Sequence, residues 1–152
     1  MKKPSFAPWP SFDREIVEAV KGVLVSGKVS QWTGPNVYAF EKEYSGYLGV
    51  KHAIAMANGS VTLDVALKVL GIGRGDEVVV TSRSFVASAS CVPLAGAVPV
   101  FADVDPQSGN VTADTIANVL TKKTKAVIVV HLAAGRVTWT RSCLCAGQKR
   151  SF

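Results

Sequence analysis

The fold is decided by the stretch Ala53-Ile54-Ala55-Met56-Ala57-Asn58-Gly59-Ser60-Val61-Thr62-Leu63, in which an apolar run passes through a small polar turn into an amphipathic segment. The apolar residues 53–57 predict a buried strand. The spacing of Leu63, Leu67 and Leu70 predicts a helix that begins at Ser60. The residues Asn58-Gly59-Ser60 then form the hinge between the strand and the helix.

This hinge has two interpretations. In the first, the free backbone N–H groups and the positive end of the helix dipole form an anion site, to which Gly59 allows a close approach and the Ser60 hydroxyl adds a donor. In the second, Ser60 simply caps the N-terminus of a core helix. The hinge residues alone leave both interpretations open.

The 152 residues are enough for one domain with a substantial core. Apolar runs such as residues 126–130 are far too short to cross a bilayer. Near the N-terminus, Pro4, Pro8 and Pro10 interrupt any apolar segment of the kind found in a signal peptide. We therefore expect a cytoplasmic protein with no membrane interaction.

The net charge of +6 comes mainly from the end of the chain. Residues 134–152 contain four basic residues and no acidic one, whereas residues 1–133 contain thirteen basic and eleven acidic residues. No basic stripe with interleaved aromatics is visible in residues 1–133, so we expect no nucleic-acid binding.

The cysteines Cys91, Cys143 and Cys145 form neither a disulfide framework nor a zinc motif. His52 and His131 lack the partners of a catalytic triad or metal site and are predicted to be structural.

Two helices are predicted before the hinge. The first is capped by Asp13 and ended by Gly27, and the second is capped by Asn36 and ended by Gly49. After the hinge helix, strands are predicted at residues 78–80, 98–101 and 126–131, alternating with a helix at 86–94 and another that Asp114 and Thr115 open.

This alternation predicts an α/β fold with a mostly parallel sheet and helices on both faces. In such sheets, ligands lie beyond the carboxyl ends of the strands. The hinge residues 58–60, residues 81–85, residues 103–105 and His131 all follow predicted strands. Asp103 and Asp105 suggest a catalytic pair, but turn and cap chemistry at a strand end is the favoured role.

A set of short motifs in a fixed order resembles the DegT/DnrJ/EryC1/StrS aminotransferases from about Phe6 to Ala133. The motifs are Thr33-Gly34-Pro35, Phe40-Glu41, Asn58-Gly59-Ser60, Leu70-Gly71-Ile72-Gly73, Gly75-Asp76-Glu77-Val78, Ser84-Phe85-Val86-Ala87, Pro99-Val100-Phe101-Ala102-Asp103-Val104-Asp105, Thr124-Lys125-Ala126 and Val130-His131-Leu132. The resemblance implies the N-terminal part of the large domain of the aspartate-aminotransferase fold, which is fold type I of pyridoxal 5′-phosphate (PLP) enzymes, here truncated.

The resemblance also implies PLP as cofactor of the intact parent, bound weakly or not at all by this chain alone. It further implies a homodimer and transfer of an amino group from glutamate to a nucleotide-linked keto sugar in lipopolysaccharide, other polysaccharide or antibiotic sugar biosynthesis. Gly59, Ser60 and the Val61 amide match the seat of the PLP phosphate, in agreement with the anion interpretation of the hinge. Phe85 matches the aromatic residue that stacks on the pyridine ring, with an ordinary core aromatic as the alternative. Thr33 and Gly34 match a loop near the substrate.

Transamination by PLP needs a Schiff-base lysine and a carboxylate on the pyridine nitrogen, and in the resembled family both lie downstream of the Val-His-Leu strand. We therefore predict no catalytic residue in this chain. We also predict no metal ligand. Read one base out of phase, residues 134–140 can encode Gly-Trp-Pro-Cys-Asp-Met-Asp, which continues the family pattern. The predicted organisation is a partial large domain at residues 1–133 and an out-of-frame, disordered tail at 134–152.

Three functions remain after this reasoning. The first is a truncated sugar aminotransferase that is inactive alone. The second is a non-catalytic remnant or dimer-interaction fragment without transaminase activity. The third keeps the fold but places the substrate among cyclitols or aminohydroxybenzoate precursors.

Overall fold

The structure, a computed structural model, describes residues 9–137. The chain divides into two compact units, Met1–Ala55 and Met56–Phe152. The predicted tail lies largely outside the described residues, since only residues 134–137 of it are included.

The first unit contains helix α1 (Arg14–Ser26), which has the predicted ends. The Asp13 carboxylate accepts a hydrogen bond from the Ile16 N–H at 2.9 Å, and Gly27 closes the helix with φ +69°. Both caps confirm the prediction, because a short acceptor before the first turn and a left-handed glycine after the last one satisfy the free backbone groups.

Helix α2 (Asn36–Leu48) ends at Gly49 as predicted, but its predicted N-cap is wrong. Pro35 already has helical backbone angles (φ −85°, ψ −13°), so Asn36 falls inside the first turn and no side chain caps it. The Phe40 and Tyr44 rings stack with centroids 5.6 Å apart along this helix.

The predicted strand at residues 53–57 is also wrong, because this segment pairs with none of the described strands. A strand is stabilised by hydrogen bonds to a neighbouring strand. Here the Ala55 N–H instead donates to the Glu41 carboxylate at 2.8 Å, and Ile54 is 74% exposed. The segment is therefore an extended connection.

The second unit is a three-stranded parallel sheet with helices. It contains α3 (Gly59–Val69), β1 (Glu77–Thr81), α4 (Ala87–Leu94), β2 (Val98–Ala102), α5 (Ala113–Ala117), β3 (Thr124–Ile128) and a 3-10 turn at Leu132–Ala134. The strand order is β2-β1-β3, and both pairings are parallel. The predicted parallel sheet is confirmed, although β3 ends three residues earlier than expected.

The sheet carries a core on each face. Val78 and Val80 of β1 belong to the first core, into which α3 places Leu67 and α4 places Val92. Val79 points to the opposite face, as strand alternation requires. It belongs to the second core, whose other buried members are Ala102, Val111, Ile116 and Val137.

The loop after β2 is closed by its own hydrogen bonds. The Asp105 carboxylate accepts from the N–H and the hydroxyl of Ser108, both at 2.8 Å. These bonds, led by the one from the Ser108 backbone, hold the pKa of Asp105 below its ordinary value. The turn role predicted for Asp105 is confirmed.

No helix among residues 9–137 is long and apolar enough to cross a membrane.

We expect Ile116→Ala to lower the free energy of unfolding by about 2 to 5 kcal/mol, because it removes a fully buried side chain and leaves a cavity. Urea unfolding followed by circular dichroism measures the change. The matched control is Val69→Ala in α3, where the side chain is 81% exposed and the expected change is within about 0.5 kcal/mol. Equal effects of the two substitutions would show that Ile116 is not in the core.

We expect Asp105→Asn to weaken the acid dependence of stability. Because the folded pKa of Asp105 is depressed, the unfolded state binds more protons as the pH falls, so this contribution is complete above the ordinary carboxyl pKa of 3.8 and is lost below it. Unfolding free energies measured from pH 6 down to about pH 2 should fall less steeply in the variant. The control is Glu43→Gln in α2, and an acid limb unchanged by Asp105→Asn would contradict the assignment.

Candidate functional site

The carboxyl ends of the three strands lie at one edge of the sheet, because all three are parallel. Residues 82–86 follow β1, residues 103–112 follow β2 and residues 129–131 follow β3. These loops are the predicted ones, except that the hinge at residues 58–60 does not follow a strand of this sheet.

Asn58, rather than Ser60, caps helix α3. Its backbone is extended (φ −167°, ψ 169°), and its side-chain oxygen accepts a hydrogen bond from the Val61 N–H at 3.0 Å. The Asn58 carbonyl accepts from the Thr62 N–H at 3.2 Å. The interpretation in which Ser60 is the cap is therefore wrong.

This capping leaves donors free at the start of α3. Among the described residues, none accepts a hydrogen bond from the N–H of Gly59, the N–H of Ser60 or the Ser60 hydroxyl. Both residues are exposed, and no heavy atom lies within 4 Å of the position that a Cβ on Gly59 would occupy. An anion such as a phosphate fits here, since two amides, a hydroxyl and the positive end of the helix dipole lie at an exposed helix start.

The Val61 amide, which the family resemblance implies as a further donor, is already bonded to Asn58. A phosphate at the start of α3 would have to share that N–H with the Asn58 oxygen. The Gly59 and Ser60 amides need no such rearrangement.

Phe85 lies in the loop between β1 and α4, and its side chain is 73% exposed. The alternative of an ordinary core aromatic is therefore wrong. Its carbonyl accepts from the Ser88 N–H at 3.0 Å, and the hydroxyls of Ser84 and Ser88 are 2.7 Å apart. The backbone is thus fixed to the first turn of α4, while an aromatic face of the ring is available to a flat ligand.

Thr33 and Gly34 lie in the first unit, in the loop between α1 and α2. The Gly34 N–H donates to the Ser30 carbonyl at 2.7 Å, and the hydroxyls of Thr33 and Ser30 are 3.1 Å apart. Gly34 is buried, and a Cβ there would run into the Lys28 carbonyl oxygen. Glycine is therefore required to close this loop.

His131 and Cys91 are both engaged within the second unit. The His131 Nδ1 accepts from the Val137 N–H at 3.0 Å. Burial, followed by the nearby Asp64 carboxylate, raises the pKa of the Cys91 thiol and keeps it protonated. Within residues 9–137, no three His, Cys, Asp or Glu side chains are grouped to hold a metal ion.

Sequence analysis missed Asn110, which connects two of the carboxyl-end loops. It is 4% exposed. Its side-chain oxygen accepts from the Leu132 N–H at 3.1 Å, and its amide group donates to the Ser108 carbonyl at 3.3 Å. An asparagine in a polar loop gives no sequence signal of this role, because the partner is 22 residues away.

Known proteins resemble this chain in sequence and in fold. The model of the DegT/DnrJ/EryC1/StrS aminotransferase family matches residues 10–138. A 3-amino-5-hydroxybenzoate synthase of Amycolatopsis mediterranei is 35% identical over 132 residues, which are 87% of this chain and 34% of that protein. A GDP-perosamine synthase of Caulobacter vibrioides is 46% identical over 99 residues, which are 65% of this chain and 27% of that protein.

Solved structures agree. An aminotransferase from Psychrobacter cryohalolentis superposes with a TM-score of 0.90 at 48% identity, covering 94% of this chain and 36% of that one. A 3-amino-5-hydroxybenzoic acid synthase superposes with a TM-score of 0.88 at 32% identity, covering 96% of this chain and 38% of that one.

The chain spans about a third of the length of these relatives. The match to the family model covers most of the chain, and the α/β fold, with its small parallel sheet between helices, is the one that the sequence predicted. The chain belongs to the DegT/DnrJ/EryC1/StrS aminotransferase family.

Proposed function

We propose that this chain supplies the phosphate-binding part of a PLP-dependent aminotransferase. The observation that carries the proposal is the start of α3, where Asn58 accepts from the Val61 N–H and the exposed Gly59 and Ser60 amides have no acceptor among the described residues. The family and the aminotransferase neighbours support PLP as the anion that these donors hold.

In this proposal, Gly59, Ser60 and a shared Val61 amide bind the phosphate, and Phe85 lies against the ring. PLP supplies an electron sink for the carbanion formed at the amino-bearing carbon. The role of the described residues is to anchor the phosphate and to keep the ring flat. The helix dipole favours the charged phosphate without adding a cation to the site.

We further propose that the amino donor is glutamate and that the acceptor is a nucleotide-linked keto sugar, with Thr33 and Gly34 near the substrate. The similarity to GDP-perosamine synthases favours a sugar nucleotide. A cyclitol or an aminohydroxybenzoate precursor is the second candidate, favoured by the similarity to proteins named for those reactions. Lipopolysaccharide or another polysaccharide is the proposed product class, and a homodimer in the cytoplasm is the proposed setting.

We expect Gly59→Ala to weaken PLP binding by roughly tenfold or more, because its methyl group would occupy the open space and displace a hydrogen bond to a charged group. Titration calorimetry with PLP and with pyridoxal isolates the phosphate contribution, since the two ligands differ only in that group. The ratio of the two affinities should fall towards one in the variant.

The matched control is Gly46→Ala in α2, where a Cβ also has no heavy atom within 4 Å. Neither substitution should lower the unfolding free energy, since alanine is favoured over glycine in helices by up to about 1 kcal/mol. An unchanged preference of Gly59→Ala for PLP over pyridoxal would overturn the proposed phosphate site.

We also propose that the coding frame changes near Ala134, which leaves residues 1–133 as the partial large domain. This proposal rests on the codon interpretation of residues 134–140. The described residues after 133 do pack in the second unit, where Val137 is 5% exposed. The domain boundary at residue 133 stays a prediction.

We expect DNA sequencing across Val130 and beyond to find a second frame that resumes with Asp-Met-Asp and later supplies a lysine. Protein expressed from the joined frame should transfer amino groups from glutamate, whereas the 152-residue chain should show little or no turnover. An unbroken frame, or turnover by the 152-residue chain, would contradict this proposal. In the alternative, a non-catalytic remnant, the chain would co-purify with a full-length relative or bind nothing.

A further inference from the structure

The Arg83 side chain lies directly on Gly109, at the carboxyl edge of the sheet. A Cβ on Gly109 would overlap the Arg83 Nη1 atom and would lie 3.4 Å from Cζ and 3.9 Å from Cδ. The end of the arginine side chain therefore packs over the α-carbon of this residue. Only glycine leaves room for it.

Gly109 is a rigid support. It is buried and has φ +68°, a left-handed conformation that favours glycine. Its N–H donates to the Asp105 carbonyl at 2.8 Å, and the Asp105 N–H donates to the Asn110 carbonyl at 2.9 Å. The loop is thus closed from both sides of Gly109.

The backbone at Arg83 is also fixed. The Ser82 N–H donates to the Ala102 carbonyl of β2 at 3.2 Å, and the Arg83 N–H donates to the Thr81 hydroxyl at 3.2 Å. The one ion pair in the described chain joins Lys21 and Glu18, so no described carboxylate holds the Arg83 guanidinium. The contact with Gly109 restrains the end of this otherwise exposed side chain.

Phe85 follows two residues later. Because Phe85 is 73% exposed, surrounding side chains restrain it little, and its backbone fixes the position from which the ring projects. That backbone is held at one end by Ser88 of α4. At the other end it is held by Arg83, whose side chain ties the loop after β1 to the loop after β2.

We infer that Arg83 is a positioning residue for Phe85 and acts by packing its guanidinium on Gly109. The inference rests on the proposed function, in which the Phe85 ring lies against PLP. Arg83 itself does not touch the cofactor in this assignment.

We expect Arg83→Ala to raise the hydrogen-exchange rates of the Ser88 and Ala89 amides, which donate to the Phe85 and Val86 carbonyls, by about threefold or more, a size typical of coupling between contacting residues. Exchange is measured on the ligand-free 152-residue chain by mass spectrometry. Gly109→Ala should raise the same rates, because it displaces the guanidinium. The exchange rates in the double variant should be close to those in the single variants. Arg74→Ala, which removes a cation from the turn before β1, is the matched control.

Unchanged exchange in Arg83→Ala, or fully additive effects of Arg83→Ala and Gly109→Ala, would overturn the inference. This measurement needs no cofactor, so it stays decisive if the chain fails to bind PLP and the proposed function falls.

PLP titration then tests whether Arg83 affects cofactor binding through Phe85. Arg83→Ala should weaken PLP binding by about threefold, and this loss should disappear in the Phe85→Leu background, because Arg83 acts through Phe85. A loss that persists in that background would show direct contact between Arg83 and the cofactor, which overturns the positioning role.

Discussion

The rest of the second unit depends on the complete burial of β1. Val78, Val79 and Val80 have no exposed surface, and β1 is hydrogen-bonded on both edges. Three consecutive buried residues of a strand point alternately to the two faces, so the sheet needs an apolar layer on each side. Helices α3 and α4 provide one layer, and α5 with Val111 and Val137 provides the other. Each buried valine contributes about 1.5 to 3 kcal/mol, which makes this strand the fixed reference for the loops that follow it.

The loops at the carboxyl edge of the sheet and the start of α3 differ in how far their polar groups are satisfied. The loop after β2 satisfies its own polar groups through Asp105 and Asn110. The start of α3 leaves polar groups unsatisfied. The Asn58 side chain accepts from the Val61 N–H, and the Gly59 and Ser60 amides have no acceptor among the described residues. Helix α3 is held in place further along, where Leu67 enters the first core. Residues that never contact the ligand therefore determine where its phosphate would be bound.

Three helix ends that depend on neighbouring residues were predicted correctly from the sequence. The caps at Asp13, Gly27 and Gly49 depend on neighbours within one turn, and the structure confirms them. The strand at residues 53–57 was predicted from an apolar run, but a strand depends on a distant partner that a sequence pattern does not specify. Asn58 and Ser60 are both good caps, so composition could not choose between them. The packing of Arg83 on Gly109 joins loops that are 26 positions apart, and no periodicity encodes that contact.

Exposure of an aromatic residue is by itself a poor guide to a binding site, as Phe85 and Phe101 show. Both are largely exposed, at 73% and 55%. Phe101 lies in β2, at the edge of the described sheet, opposite Val80 and on the same face as that buried residue, where it is only partly covered. Phe85 instead lies beyond a strand end, in a loop tied to α4 through Ser88 and to the β2 loop through Arg83. An exposed ring on a backbone held at both ends can present one face to a ligand at little further cost in conformational entropy. The backbone context, rather than the exposure, therefore distinguishes Phe85 from Phe101 as the ring proposed to lie against the cofactor.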